Sequence, residues 1–410
     1  MYTFDPSGSN PVCAICKASE SHWLGDHLQE IHGLSVESYL AAHPGAHTVS
    51  KELSKSLAAK APKTRVAAPT NPELKITLGG LEFPVHANVP ESACLMLPGH
   101  YRLPEHGDLA SDVQDVLIAL KCGRTTWVWG PPGTGKDAIF HAYGAMTRTP
   151  SLLFQVVQGA DIQAWKYTRS FDHEGTKWEE GDLLKALRDG YVTADGERIP
   201  YLIVLSDIDR ATRQQAEELR QILDSIQGRI TGPTGEVYPV LPGTVIVATA
   251  NSSGGGDESG RCISANPIDA SIMDRFERKV EFHNMSPLDE EPILVAKFPT
   301  LVATHPKAIP AMMKATTAVR DAIAKNEVYC EWTHRTVSAW ASATQDLMVA
   351  LGSKSGGEKI VGRALRMVLD GLPTRDTREA VKRLIDPHIT GGAIPEGNTS
   401  HINRGGLSRP

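Results

Sequence analysis

Seven residues constrain this chain more tightly than any others: Gly130-Pro131-Pro132-Gly133-Thr134-Gly135-Lys136. They fill the first seven positions of G-x-x-x-x-G-K-S/T, a loop whose backbone N–H groups cradle phosphate oxygens. Glycine suits such a loop because a Cβ holds the backbone away from the anion. A β-rich run, Thr125–Trp129, precedes the loop, and Ile139, Phe140, Tyr143 and Met146 follow it on one helical face. Strand, loop and helix in that order are the context the motif requires. The helix N-terminus, with Asp137 and Ala138 in its first turn, adds positive potential. Lys136 is placed to reach β- and γ-phosphates, so the candidate nucleotide-binding set runs from Gly130 to Ala138.

The surrounding pattern alternates between helical and strand periodicity. Val113, Val116, Leu117 and Leu120 have helical spacing, and continuous apolar runs recur at 152–157, 201–205 and 244–249. Such runs mark strands buried on both faces. Ala216, Leu219, Ile222, Leu223 and Ile226 predict a helix between the last two. The fold class is therefore α/β, a parallel sheet between helices, over 109–284. The pattern beyond is helical only, predicting a small all-α domain over 285–388. Residues 73–108 form an N-terminal extension with a hairpin signal in LKITLGGLEFPV. Residues 49–72 read as a flexible linker with five basic residues against Glu52, and 389–410 as a disordered tail.

Two positions depart from the usual phosphate-site pattern. The eighth loop position, where a hydroxyl ordinarily ligates Mg²⁺, is Asp137. After the strand YLIVL stand Ser206 and Asp207, where an aspartate for the metal and a glutamate for the attacking water are usual. In such folds the start of the loop helix faces the end of this strand. The carboxylate has crossed to the helix and the hydroxyl to the strand, so the charge of the site is unchanged. Mg²⁺ needs oxygen ligands in octahedral geometry, whichever element supplies them. Asp137 and Ser206 are thus the candidate magnesium residues, and Asp207 is the candidate polarising base. In a second register Asp207 binds the metal and Asp209 is the catalytic acid.

Residues 1–48 form a separate unit rich in Cys and His. Cys13-x2-Cys16-x10-His27-x4-His32 has the spacing of a tetrahedral Cys₂His₂ zinc site. Zinc would staple a unit too small to bury its own core. His22, five residues before His27, offers a second pairing.

Beyond these motifs the chain resembles the MoxR branch of AAA+ ATPases, and within it the CobS-type small subunit of cobaltochelatase. The resemblance spans about residues 75–385. It rests on GPPGTGK, on GTVIVATANSSGGGDESGRCISANPIDASIMDRFERKVEF, and on WTHRTVSAW, where Thr333 and His334 replace Ser-Pro. It implies a five-stranded AAA+ core with a helical lid, acting as an ATPase with ATP and Mg²⁺. It also implies roles: Asn251 as the sensor of water or γ-phosphate, Arg275 as an arginine finger in a neighbouring subunit's site, and Arg335 as a second sensor in the lid. A finger supplied in trans implies a head-to-tail homo-oligomer, commonly a hexamer. Segments 160–182, with Trp165, Tyr167 and Trp178, and 228–243 would line its pore, although those aromatics equally suit a core. Such ATPases typically pair with a protein partner that carries a von Willebrand A domain. The Cys/His unit resembles Ros/MucR-type zinc-finger modules, which bind DNA, although its acids Glu20, Asp26, Glu30 and Glu37 suit docking on a protein equally well.

Composition narrows the remaining choices. Net charge is 42 − 48 = −6, which argues against a chain coated in nucleic acid but leaves residues 1–72 as a local contact. No apolar run approaches the ~20 residues of a membrane helix, and the first residues lack a signal-peptide pattern. With only Cys13 and Cys16 closely paired, reduced thiols and a cytoplasmic setting are expected. The leading expectation is ATP-driven remodelling of a protein partner. The alternatives are a DNA-directed motor using residues 1–72, or a nucleotide switch that turns over little because its metal site is altered.

Overall fold

The computed structural model describes residues 10–19, 24–33, 39, 42–43, 46, 48 and 74–389, apart from 98, 173–174, 226–227, 257–265 and 352–356. The linker, the C-terminal tail from 390, His22 and the 257–265 stretch lie outside the described residues. The chain divides into two compact units, residues 1–68 and 69–410.

In the first unit a knuckle at Cys13–Ala18 closes through Cys13 N–H to Ala18 O (2.8 Å), and helix α1 (Gly25–His32) follows. Gly33, at φ 64°, ends the helix in the left-handed region that glycine tolerates. Cys13, Leu24, Leu28 and Tyr39 are fully buried together, and the Ala14 N–H donates to the Tyr39 hydroxyl at 2.7 Å.

The second unit opens with the predicted hairpin, β1 (Lys75–Leu78) and β2 (Leu81–Pro84), and then α2 (Gly107–Lys121). Strand β3 (Thr126–Trp129) feeds the phosphate loop, α3 (Lys136–Thr147) and β4 (Ser151–Gln155). The segment after β4 is built from α4 (Ile162–Lys166), the hairpin β5 (Tyr167–Asp172) with β6 (Gly175–Glu180), and α5 (Asp182–Asp189). A short hairpin, β7 (Tyr191–Val192) with β8 (Arg198–Ile199), precedes β9 (Leu202–Ser206) and α6 (Arg213–Asp224). Thr212 and Gln215 start α6 with a capping box. The hairpin of β10 (Arg229–Thr231) and β11 (Val237–Pro239), strand β12 (Val245–Ala250), α7 (Ala270–Met273) and β13 (Arg278–Glu281) complete the core.

Five strands form one parallel sheet in the order β13-β3-β12-β9-β4. Side chains alternate between its faces. Leu202, Val204 and Val247 pack with α2 and α3, whereas Ile203, Leu205, Ile246 and Ala248 pack with α5 and α6. Interior strands β9 and β12 are therefore apolar on both faces, which is why their sequence reads as continuous runs. Edge strand β13 carries three charged residues in four and shows no such run.

The remaining helices are α8 (Pro287–Lys297), α9 (Pro299–Thr304), α10 (Ala308–Ala324), α11 (His334–Leu351), α12 (Gly357–Leu369) and α13 (Arg375–Ile389). They enclose their own core around Trp332 and Trp340. Both indoles are fully buried and donate, to Thr316 Oγ1 at 3.2 Å and to Val361 O at 3.0 Å, so the polar edge of each ring is satisfied.

Candidate active site and Cys/His cluster

The loop between β3 and α3 adopts backbone angles that only glycine takes easily. Gly130 (φ 149°) lies so close to strand β13's end that a Cβ would meet Phe282 O at 2.4 Å. Gly133 (φ 89°) faces the lid, where a Cβ would meet Thr333 Oγ1 at 2.5 Å. Lid and loop are thus in direct contact. Lys136 is buried within the loop, and its ammonium donates to Gly130 O (2.8 Å), Pro131 O (2.9 Å) and Asn251 Oδ1 (3.1 Å).

The two departures from pattern meet in space. Ser206 Oγ donates to Asp137 Oδ1 and Oδ2 at 3.2 and 3.1 Å. A third partner, Thr249 on β12, donates to Asp137 Oδ1 at 2.7 Å and lies 3.5 Å from Ser206 Oγ. Sequence reasoning missed Thr249, because nothing in VIVATA separates a hydroxyl aimed at the site from one aimed at the core. One carboxylate and two hydroxyls offer hard oxygen donors, the chemistry a divalent magnesium takes.

Asp207 adopts a left-handed backbone (φ 55°), an uncommon conformation outside glycine, at the turn leaving β9. Its carboxylate accepts from Asn251 Nδ2 (3.3 Å) and Gln155 Nε2 (3.4 Å) and lies 3.7 Å from Arg210 Nε. Asn251 therefore joins Lys136 on one side to Asp207 on the other. Asp209 points elsewhere. It is fully buried and accepts from the N–H groups of Asn251 (2.8 Å) and Ser252 (3.0 Å) and from Ser252 Oγ (3.1 Å). Burial pushes its carboxyl above the ordinary range, and the bonds from 251 and 252 only partly offset this. Asp209 anchors the end of β12, and so the position of Asn251, rather than facing the cavity. The register that makes it the catalytic acid finds no support in this geometry.

A cavity of about 530 Å³ opens over these groups. Loop residues Pro132, Gly133 and Gly135 to Ala138, with Ser206, Asp207, Arg210 and Asn251, line one wall, and Lys297, His334, Arg335 and Ser338 of the lid line the other. Arg275 is not among the lining residues. Its guanidinium forks onto Asp224 at 2.6 and 3.0 Å and also donates to Ser271 O.

Residues 126–276 match the family model of the AAA domain, dynein-related subfamily. This stretch is an AAA domain, the mark of an ATPase. The match starts at the first residue of β3 and takes in the phosphate loop, Asp137, Ser206, Asn251 and Arg275, while the lid and the Cys/His unit fall outside it. Among curated proteins, none matches the chain. Among solved structures, the RuvB Holliday junction branch migration motor of Thermotoga maritima is similar at 14% identity, over 64% of this chain and 70% of that one, with a TM-score of 0.39. NtrX from Brucella abortus is similar at 12% identity, over 60% of this chain and 52% of that one, with a TM-score of 0.40. Among the described residues no helix is long and apolar enough to cross a membrane.

Beside the AAA domain, the aromatics of segment 160–182 divide by position. Trp165 stacks on Phe154, with ring centroids 4.9 Å apart, and Tyr167 meets Trp178 edge to face at 5.4 Å. These three are half-buried within the segment's own structure. The exposed aromatic is Phe171 near the β5–β6 turn, 78% accessible, which helical or strand periodicity does not single out.

In the first unit the sequence-predicted ligands converge. The donor atoms of Cys13, Cys16, His27 and His32 all lie within 4.8 Å of one another. Cys16 Sγ is 3.1 Å from His27 Nε2, and Cys13 Sγ is 3.6 Å from His32 Nε2. Tetrahedral bonds of ~2.3 Å to sulfur and ~2.0 Å to nitrogen put neighbouring donors roughly 3.5 Å apart, so the set fits a four-coordinate ion.

Proposed function

We propose that this ATPase works as a homo-oligomeric ring, hexameric by analogy with its resemblance, that uses Mg²⁺-dependent ATP hydrolysis to remodel a protein partner. The observation that carries the hydrolytic part is the contact of Asp137 with the hydroxyls of Ser206 and Thr249, placed between Lys136 and Asp207. Lys136 and the loop N–H groups hold the β- and γ-phosphates. Asp137 and Ser206 hold Mg²⁺, which neutralises charge on those phosphates when bound. Asp207 orients and polarises the attacking water, and Asn251 fixes that water against the terminal phosphate. Arg335 reports the nucleotide to the lid. Arg275 lies outside its own cavity, as a finger destined for a neighbour's site requires. A protein with a von Willebrand A domain is the partner class the resemblance favours, and a cytoplasmic setting suits reduced thiols.

The test is steady-state ATP turnover at saturating Mg²⁺, with Lys136→Ala as control. Nucleotide at about 100 times its dissociation constant is expected to stabilise the native protein by ~2.7 kcal/mol in thermal unfolding. Lys136→Ala, lacking the charge that meets the phosphates, is expected to lose this shift while unfolding normally without nucleotide. A native chain that shows neither turnover nor a nucleotide-induced shift would overturn the reading.

We infer that the Cys/His cluster holds Zn²⁺ through Cys13, Cys16, His27 and His32. Among the described residues of this unit the fully buried cluster is Cys13, Leu24, Leu28 and Tyr39, a core small enough to need a staple. Chelation at neutral pH is expected to release about one zinc per chain and unfold residues 1–48, while the thermal transition of the AAA domain stays in place. Cys16→Ser should reproduce the loss. Retention of metal by that variant would show that other ligands hold it.

A further inference from the structure

The lid wall of the cavity carries a histidine where the resembling ATPases carry proline, and its setting is built rather than incidental. His334 is the first residue of α11 and lines the nucleotide cavity. Its Nδ1 lies 3.1 Å from Oε1 of Glu290, a carboxylate with no solvent exposure. Arg320 clasps the same carboxylate at 2.7 and 3.2 Å, and donates as well to Met285 O (3.0 Å) and Trp332 O (2.9 Å). Burial pushes Glu290 upward, but His334 and Arg320 outweigh it and hold the carboxyl below its ordinary range. An ionised carboxylate only accepts, so Nδ1 of His334 donates, and Nε2 is the ring nitrogen that Glu290 does not engage, on a residue that lines the cavity.

We propose that His334 is a phosphate-reading residue of the lid, contacting the terminal phosphate of bound ATP through Nε2 while Glu290 fixes its ring. The proposal rests on the ATPase reading above. With Nδ1–H committed to Glu290, Nε2 donates only once the ring carries a second proton. The contact ties the phosphate to Arg320, which spans the core–lid junction at Met285 and the entry to α11 at Trp332.

The two amide replacements separate the two edges of the ring. Asparagine reproduces Nδ1 and so keeps Glu290 company without reaching the phosphate, whereas glutamine reproduces the reach of Nε2. Affinities of the full chain for ADP and for a non-hydrolysable ATP analogue are measured with Mg²⁺. His334→Ala and His334→Asn are expected to lose roughly ten- to a hundredfold in affinity for the triphosphate analogue, with ADP nearly unchanged. His334→Gln should recover most of the loss. Equal losses for both nucleotides, no loss, or recovery by asparagine instead of glutamine would overturn the role. A native chain that binds neither nucleotide would refute the ATPase reading itself.

Discussion

Replacing Arg275 with alanine is expected to lower ATP turnover by about 10³-fold or more while leaving nucleotide affinity close to native. The first half follows from what a finger does. A guanidinium that meets the transferring phosphoryl group stabilises charge present only in the transition state, so its loss appears in kcat rather than in binding. The second half follows from position, because Arg275 is absent from the wall of its own chain's cavity. Stability should barely change. The pair with Asp224 is partly exposed on both sides, at 26% and 40%, so its removal costs about 1 kcal/mol or less and leaves no buried orphan charge. On the finger role proposed above, Asp224 would hold the guanidinium until a neighbouring subunit arrives.

Mixing separates a finger acting in trans from one acting within the chain. Arg275→Ala keeps an intact phosphate loop, and Lys136→Ala keeps an intact finger. In a mixed ring some interfaces combine the two intact halves, so the mixture is expected to regain a measurable part of the activity that each variant lacks alone. Turnover by Arg275→Ala near the native rate would remove the finger, and an inactive mixture would remove its action across an interface.

How much of this site could be read without the structure depended on how local each signal is. The phosphate loop was legible because glycine spacing, a preceding strand and a following helix sit within some thirty residues. Interior strands β9 and β12 were legible because both faces are buried. Edge strand β13, RKVE, carries three charged residues in four, so no apolar run marks it; only the resemblance implied a fifth strand. The convergence of Cys13, Cys16, His27 and His32 was legible by spacing alone. The groups that reach the site from distant elements were not. Thr249, Gln155, Arg210 and Lys297 are ordinary residues in their own segments, and tertiary packing brings them to one cavity. His334 had a sequence signal, since it replaced an expected proline, but its meaning needed Glu290, which lies 44 residues away. Asp209 shows the converse. Its sequence position suits a catalytic acid, and only its burial against the backbone of 251 and 252 shows it anchoring β12 instead.

Exchanging the two altered metal-site residues should restore what either exchange alone destroys. Asp137→Ser leaves three hydroxyls and no carboxylate, since Ser206 and Thr249 remain. Mg²⁺ binding would then lose the carboxylate proposed for it, and turnover is expected to fall on the order of a hundredfold or more. Ser206→Asp fails for the opposite reason. Ser206 Oγ sits 3.1 to 3.2 Å from both carboxylate oxygens of Asp137, so a second carboxylate meets the first at hydrogen-bond distance. Two such groups cannot both stay ionised without the metal, and one must take up a proton. That variant should show a raised magnesium requirement and a turnover that recovers as pH rises. The double exchange returns a hydroxyl to the helix and a carboxylate to the strand, one charge in all. It also leaves Thr249 a carboxylate partner, since its hydroxyl already lies 3.5 Å from position 206. Coupling between the two positions is expected to be strongly positive, because residues sharing one ligand set are not independent. The measurement is a double-mutant cycle on turnover across a magnesium titration. If the two losses simply add, the carboxylate did not cross the site, and Asp137 is a helix-start residue that leaves the nucleotide bound but little hydrolysed.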